Sequence, residues 1–410
     1  MQAESIYLIQ GTALRGDSPA LQAALTEVYG TDERPKCLCI ERGIEMYVAQ
    51  HAQLVIKRMP GTGPAHHPSC PSYEAPASET GLGDLLGEAV IERGPERVEV
   101  RLDFPLSHVS VPRPAQATPA PSQSVSAAQR RLSMRGLLHL LWDRAGFSRW
   151  SPRMEGKRSW AVVRKYLLEA AGEIDAKGVP LASRLFIPEP FRLDAAEALR
   201  ARRAAFFGGL RLDGSGEQVP LALLVAEVKD LVERCDGYAM VLKHLPDCPL
   251  TLDSTTGRQL ARRFERELLA KAQQPDTRLI VGCTIRPVAE GLGHADTLAM
   301  IAATPEWLPF EHLLERALLC ELVRQRRRFL KPLPYEAGPS AVFASALLLD
   351  TGDAAVPLHI DAPSAAGQRG IRPDDRRTAG PKSWIWRPGE AFAMPALPRV
   401  TAERRRAVTP

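Results

Sequence analysis

At 410 residues, with 45% hydrophobic and 25% charged positions, the chain is longer than one ordinary core and has the balance expected of a soluble multidomain protein, which sets aside fibrous and disordered classes. No apolar run approaches the length that spans a bilayer, and the opening MQAESIYLIQ lacks a basic segment ahead of an apolar one, so no membrane partner and no secretory leader are expected and the expected compartment is the cytoplasm. The net charge of +5 is small, while seven thinly spread cysteines argue against a disulfide scaffold and for reduced thiols or a metal site.

Residues 1–104 carry short strand-like runs (IYLIQ, MYVAQ, LVIKRM, VEVRLDF) and one or two helices, such as LQAALTEV, and read as a small mixed unit. Residues 105–128, rich in Pro, Ser and Ala, have little to bury and are expected to form a linker of polyproline character. Residues 129–200 read as a basic helical module, because MRGLLHLLWDRAG and SWAVVRKYLLEAAGEI place apolar residues at helical spacing on either side of Gly146 and Pro152. In 201–305 the pattern turns to strands (AFFGGLRLD, PLALLVAEVK, YAMVLKHL, TRLIVGCTI, TLAMIAAT) around one basic helix, GRQLARRFERELLAKAQQ. Residues 306–398 begin with the helix PFEHLLERALLCELVRQRRRF, continue through AVFASALLLD and AVPLHID as a hairpin, and end near the short strand SWIWRP; 399–410 is a basic tail. The expected fold class is α+β and multidomain: a small N-terminal unit, a helical middle module, and a mixed α/β C-terminal half.

The stretch RMPGTGPAHHPSC opens with glycines and closes with metal-binding residue types. A phosphate loop needs G-x-x-x-x-G-K-S/T with converging backbone N–H groups. Here Gly63 is followed by Pro64, which has no N–H, and no lysine stands in the required place, so no nucleotide is expected. A metal site has its partners upstream. Cys37 and Cys39 precede two strand-like runs whose hairpin would bring them to His67 and Cys70, with His66 as the alternative ligand. Three thiolates and one imidazole make a closed four-coordinate site, and the expected ion is structural zinc.

Elsewhere, Glu227-x-Lys229 ends an apolar strand and supplies half of a metal-dependent nuclease motif. With Asp213 it forms the alternative catalytic set, but pairing of AFFGGLRLD with VPLALLVAEVK would leave Asp213 at the turn, far from Glu227, so an ion pair is the expected role. The segment 144–165 joins Phe147, Trp150 and Trp160 with Arg149, Arg153, Lys157, Arg158, Arg164 and Lys165. Basic groups neutralise phosphates and exposed aromatics stack on bases, so these residues are the expected DNA contact, with the second helix entering a groove.

The runs CLCIERGIEMYVAQ, IKRMPGTGPAHHPSCPSYE and WDRAGFSRWSPRMEGKRSWAVVRKYLLEAA resemble a bacterial family known as domain of unknown function 1173, carried largely by integrative and conjugative elements and plasmids. The resemblance implies a mobile-element setting and no particular activity. WLPFEHLLERALLCELVRQRRRFLKPLPYE followed by VFASALLLDTGDAAVPLHI resembles the nuclease-type C-terminal module of certain conjugative proteins, itself similar to the PD-(D/E)xK nucleases. That resemblance places the two catalytic acids on Ser345 and His359, neither of which is an acid, and so implies a nuclease-like scaffold without catalysis. The expected function is a non-enzymatic, DNA-interacting accessory protein of a mobile element with a structural zinc. The alternatives are an active metal-dependent nuclease and a protein-interaction component of a transfer or defence complex.

Overall fold

The computed structural model describes residues 5–50, 53–94, 97–109, 130–212, 218–235, 237–286, 292, 294–336, 343–361, 383–389 and 393–401. Two hydrophobic cores organise them, bridged by a small third cluster.

The first core belongs to the N-terminal unit. Strands Thr12–Arg15, Ile6–Ile9, Lys36–Cys37, Ile44–Gln50 and Leu54–Arg58 form an antiparallel sheet in that order. Helix α1 (Leu21–Val28) lays Leu21, Leu25 and Val28 on it, the one-face spacing of a helix against a sheet. Tyr7, Ile9, Met46 and Ile56 complete the core, and Cys37 and Cys70 sit at its end.

The second core runs from Leu85 to Trp386. At its centre is an antiparallel sheet in the order Leu245–Asp253, Gly237–Leu242, Ala222–Arg234, Arg278–Ile285, Ala295–Ala303 and Pro309–Phe310, with Leu185–Phe186 parallel to Ala222–Arg234. The first seven residues of Ala222–Arg234 are all buried, the apolar run Ala222–Ala226 and Val228 interrupted by Glu227, as befits a central strand. Helix α2 (Met134–Arg144) is buried continuously from Gly136 to Trp142. It lies so close to the sheet that a Cβ on Gly282 would meet the side chain of Leu138 at 2.9 Å. Helix α3 (Trp160–Gly172) packs beside it with Trp160, Val163, Leu167, Ala170 and Ala171 inward. Ser133 and Ser159 cap these two helices by accepting from Gly136 and Val162 N–H.

Helix α4 (Ala196–Leu212) occupies the stretch expected to be the strand AFFGGLRLD, and its Phe206 and Phe207 rings pack on Phe186. The single basic helix expected near residue 260 is two, α5 (Ser254–Arg263) and α6 (Glu265–Gln273), broken at buried Phe264, whose φ of −111° and ψ of 26° leave the helical region. Helix α7 (Leu313–Arg324) precedes the expected hairpin of Ala346–Leu348 and Val356–Ile360. That hairpin lies within a five-stranded sheet in the order Trp384–Trp386, Val356–Ile360, Ala346–Leu348, Phe329–Leu330, Arg149–Trp150.

The expected boundaries at 200 and 305 do not separate cores. Arg149–Trp150 pairs with Phe329–Leu330 across both, and Leu185–Phe186 pairs with the strand of residues 222–234 across the first; Val98–Val100 pairs in parallel with Ile174–Ala176 across the expected linker. The expected linker is entered by a strand, Ser107–Val109, paired with Gln218–Pro220; its remainder, 110–128, lies outside the described residues. Among the described residues there are seven α-helices, and none is long and apolar enough to cross a membrane.

Candidate metal centre

The four ligands are assembled by local structure. Cys37 is the last residue of the strand Lys36–Cys37, in register with Tyr7 on one side and Ile44 on the other. Cys39 stands in the turn that follows, closed by Gly43 at φ +66°, a conformation glycine adopts without strain. The hairpin of Ile44–Gln50 and Leu54–Arg58 then returns the chain, and a short turn, Gly63–Ala65, aims His66 inward. Gly63 is required there, since a Cβ would stand 2.6 Å from the Cβ of Glu74. Cys70 closes the set, its N–H donating to the His67 carbonyl at 2.8 Å.

Cys37 Sγ lies 3.7 Å from Cys70 Sγ, and His66 Nδ1 lies 3.3 Å from Cys39 Sγ and 3.6 Å from Cys70 Sγ. All four ligand atoms fall within 4.8 Å of one another, and the group can hold a metal ion. Cys37, His66 and Cys70 are buried and Cys39 half-buried, so the four side chains lie largely away from solvent. Backbone N–H groups support the sulfurs: Ser72 N–H points at Cys70 Sγ at 3.4 Å. The Cys39 thiol is drawn down to about 3 by hydrogen bonds from the Cys37 and Cys70 thiols and from backbone N–H groups, while hydrogen bonding to Cys39 and Cys70, with burial, pushes Cys37 far up. One thiolate forms readily in this nest, and a further one needs a cation beside it. Tyr7, buried against the cluster, is pushed up to about 12 by burial and by the nearby thiols.

His67, the first choice from spacing, is corrected to His66. In the extended backbone at His66 (φ −73°, ψ 153°), successive side chains point to opposite sides. His67 therefore faces out, with Nδ1 2.9 Å from Ser69 Oγ and Nε2 3.4 Å from Asp353.

The expected DNA contact is largely taken up by structure. Trp150 and Trp160 are buried, and Trp160 Nε1 donates to the Pro188 carbonyl at 2.7 Å, so neither ring is free to stack on a base. Arg158 donates to the carbonyls of Gly146, Arg149 and Glu306, and burial lowers its pKa to about 10. Arg149 donates to the carbonyls of Cys70 and Pro71, and Arg164 to that of Ile187. Arg153, Lys157 and Lys165 keep exposed positions, with Lys165 3.9 Å from Glu169. The helices in the stretch read as one basic helix are better exposed. Arg258, Arg262 and Arg266 on α5 and α6 are exposed and carry no ion pair to another described residue.

The nuclease positions carry no pair of acids. Ser345 is buried, its N–H donating to the Leu358 carbonyl, and His359 is half-buried with its pKa lowered by burial. Asp350 is bound to the buried Arg327, and Asp361 to Arg387. Glu227 is buried and faces Arg278 at 2.9 Å, Lys243 at 3.1 Å and His244 at 3.7 Å. Burial opposes its ionisation, but those three groups outweigh burial and hold the carboxyl at about 2. Lys229 is exposed on the same strand, and Asp213 lies outside the described residues.

The fold and site thus define an α+β protein with a closed centre of three cysteines and one histidine. The family model described as "Protein of unknown function (DUF1173)" matches residues 7–389, and the chain belongs to that family. No curated protein and no solved structure matches it.

Proposed function

We propose that this protein is a non-enzymatic binding protein whose N-terminal unit is fixed by a structural zinc ion and whose partner is DNA. The spacing of the four ligands carries the zinc reading. Zinc bonds of about 2.3 Å to sulfur and about 2.0–2.1 Å to nitrogen, at tetrahedral angles, place sulfurs about 3.8 Å apart and sulfur and nitrogen about 3.5 Å apart. The separations of 3.7 Å, 3.3 Å and 3.6 Å agree with those values. A thiolate-rich, tetrahedral, solvent-shielded site favours zinc over magnesium or calcium, which take oxygen ligands.

The DNA reading is supported by the α5–α6 surface in place of the segment 144–165. From Ser254 to Phe264 the chain has no carboxylate, while Arg258, Arg262 and Arg263 stand on α5, a composition that suits a phosphate backbone. A nuclease reading finds no support in Ser345, His359 or the ion-paired Glu227. The mobile-element setting goes with the family and is part of this proposal.

Fluorescence anisotropy of labelled single- and double-stranded DNA at several salt concentrations tests it. Binding whose log–log salt slope falls by about two to three units in an Arg258→Gln, Arg262→Gln, Arg266→Gln triple variant supports the reading. Absence of binding at low salt overturns it and leaves an acidic protein surface as the partner of these arginines.

A further inference from the structure

The loop that delivers Cys70 is held from both sides. Four successive carbonyls, those of Ser69, Cys70, Pro71 and Ser72, are taken by three arginines from distant parts of the chain. Arg149 Nη1 donates to Cys70 O at 3.1 Å and Pro71 O at 3.0 Å, Arg328 Nη1 to Ser69 O at 3.4 Å, and Arg58 Nη1 to Ser72 O at 3.3 Å. Arg58 ends a strand of the N-terminal sheet, whereas Arg149 belongs to the five-stranded sheet of the large core and Arg328 immediately precedes its strand Phe329–Leu330. Arg328 is itself fixed, its backbone N–H donating to Asp350 at 2.9 Å and its carbonyl accepting from Leu349 N–H. Immediately after the loop, Tyr73 packs with Leu330, Ala344, Leu347 and Leu349 in the third hydrophobic cluster.

We infer that the metal centre is a latch between the N-terminal unit and the body, with Arg149 as the positioning residue that couples metal occupancy to docking of residues 69–72. The inference rests on the reading of Cys37, Cys39, His66 and Cys70 as metal ligands. An ion that ties Cys70 to Cys37 and Cys39 fixes the loop whose carbonyls converge on Arg149. Without it, only weak thiol and imidazole hydrogen bonds hold the four side chains together, and the path of residues 69–72 loosens. Arg149 is then a desolvated guanidinium short of acceptors, an expensive group to leave unpaired. The coupling is reciprocal: whatever the ion contributes to docking, the docked Arg149 contributes to ion affinity. Groups that orient metal ligands typically change metal affinity by about 10- to 100-fold when removed.

The test uses the full chain loaded with zinc, with zinc affinity read by competition against a chromophoric chelator. Arg149→Gln is expected to weaken zinc about ten-fold or more, and Arg328→Gln less. Glu227→Gln, which breaks the buried pairs with Arg278 and Lys243 and has no partner in the loop, lowers stability but leaves zinc affinity within about two-fold. A second measurement needs no variant. Hydrogen exchange of the wild-type chain, with and without chelator, should show faster exchange at Phe329, Leu330 and Leu348 once zinc is removed. A wild-type chain that binds no zinc overturns the site itself. Zinc bound equally tightly by Arg149→Gln, or exchange in the body sheet indifferent to chelation, overturns the latch and leaves the site standing.

Discussion

Cys37 and Cys70 stand thirty-three positions apart in the chain, yet their sulfurs lie 3.7 Å apart and both remain free thiols. The hairpin between them makes this proximity: Met46 pairs with Arg58 and Gln50 with Leu54, so the chain returns to the level from which it left. Two buried sulfurs at that separation, with a third sulfur and a ring nitrogen beside them, are satisfied together by one cation.

That arrangement discriminates between the adjacent histidines. His66→Ala should abolish stoichiometric zinc binding, as should Cys70→Ser, whereas His67→Ala should leave about one zinc per chain, read by elemental analysis of purified protein. Chelation should lower the melting temperature of the wild-type chain, since metal binding to such a site is folding free energy.

Glu227 should behave as a buried ion pair. Glu227→Gln leaves Arg278 and Lys243 facing a neutral amide, and the expected loss is about 3 kcal/mol, at the low end for a broken buried pair because Lys243 is 45% exposed. The sign follows from a folded value of about 2 against an ordinary 4.5. This residue's contribution is complete above about pH 4.5 and is lost as pH falls toward 2. Denaturation of the variant across that window should show a shallower acid limb.

His139 sets a second, higher acid limb. It is fully buried, its Nδ1 accepts from Tyr335 N–H at 3.1 Å, and burial together with the Arg135 charge lowers it from 6.5 to about 3. The unfolded chain binds a proton below about pH 6.5 that the folded chain refuses until about pH 3, so stability falls as pH falls through that window. From pH 7 to pH 5 the loss from this residue alone is about 2 kcal/mol. His139→Gln should flatten the profile of stability between those values.

Stability and DNA binding should separate by location. Trp160→Ala removes a buried ring that stacks on His244 and packs on Trp307, and should cost about 3–5 kcal/mol in denaturant unfolding. Substitution of Arg258, Arg262 and Arg266 by Gln should leave the melting temperature unchanged within error and reduce affinity for DNA.

The elements most legible in the sequence are those whose pattern is local. Helices α2 and α3 announce themselves by apolar spacing and serine caps, and the metal ligands by a hairpin between two cysteine-bearing ends. The choice between His66 and His67 depends on the turn at Gly63–Ala65, a backbone detail that spacing does not carry. Helix α4 was hidden by Gly208 and Gly209 amid apolar residues. A Cβ at either position would meet nothing within 4 Å, so these glycines mark no close approach, and the helix is held by Phe207 and Leu210 turned into the core. Arg149 and Arg158 looked like phosphate ligands because composition cannot distinguish a guanidinium that meets solvent from one that satisfies carbonyls.

The pairing of Arg149–Trp150 with Phe329–Leu330 also fixes an order of events during synthesis. Trp142, seven residues before that strand, donates to the carbonyl of Trp307, 165 residues later, an interval of roughly ten to thirty seconds at about 5–20 residues per second. Until then the emerging middle of the chain has apolar faces without partners. The cluster able to hold a metal is complete by Cys70, so the N-terminal unit can close, with any ion it takes, while the ribosome is still supplying the strands on which it docks.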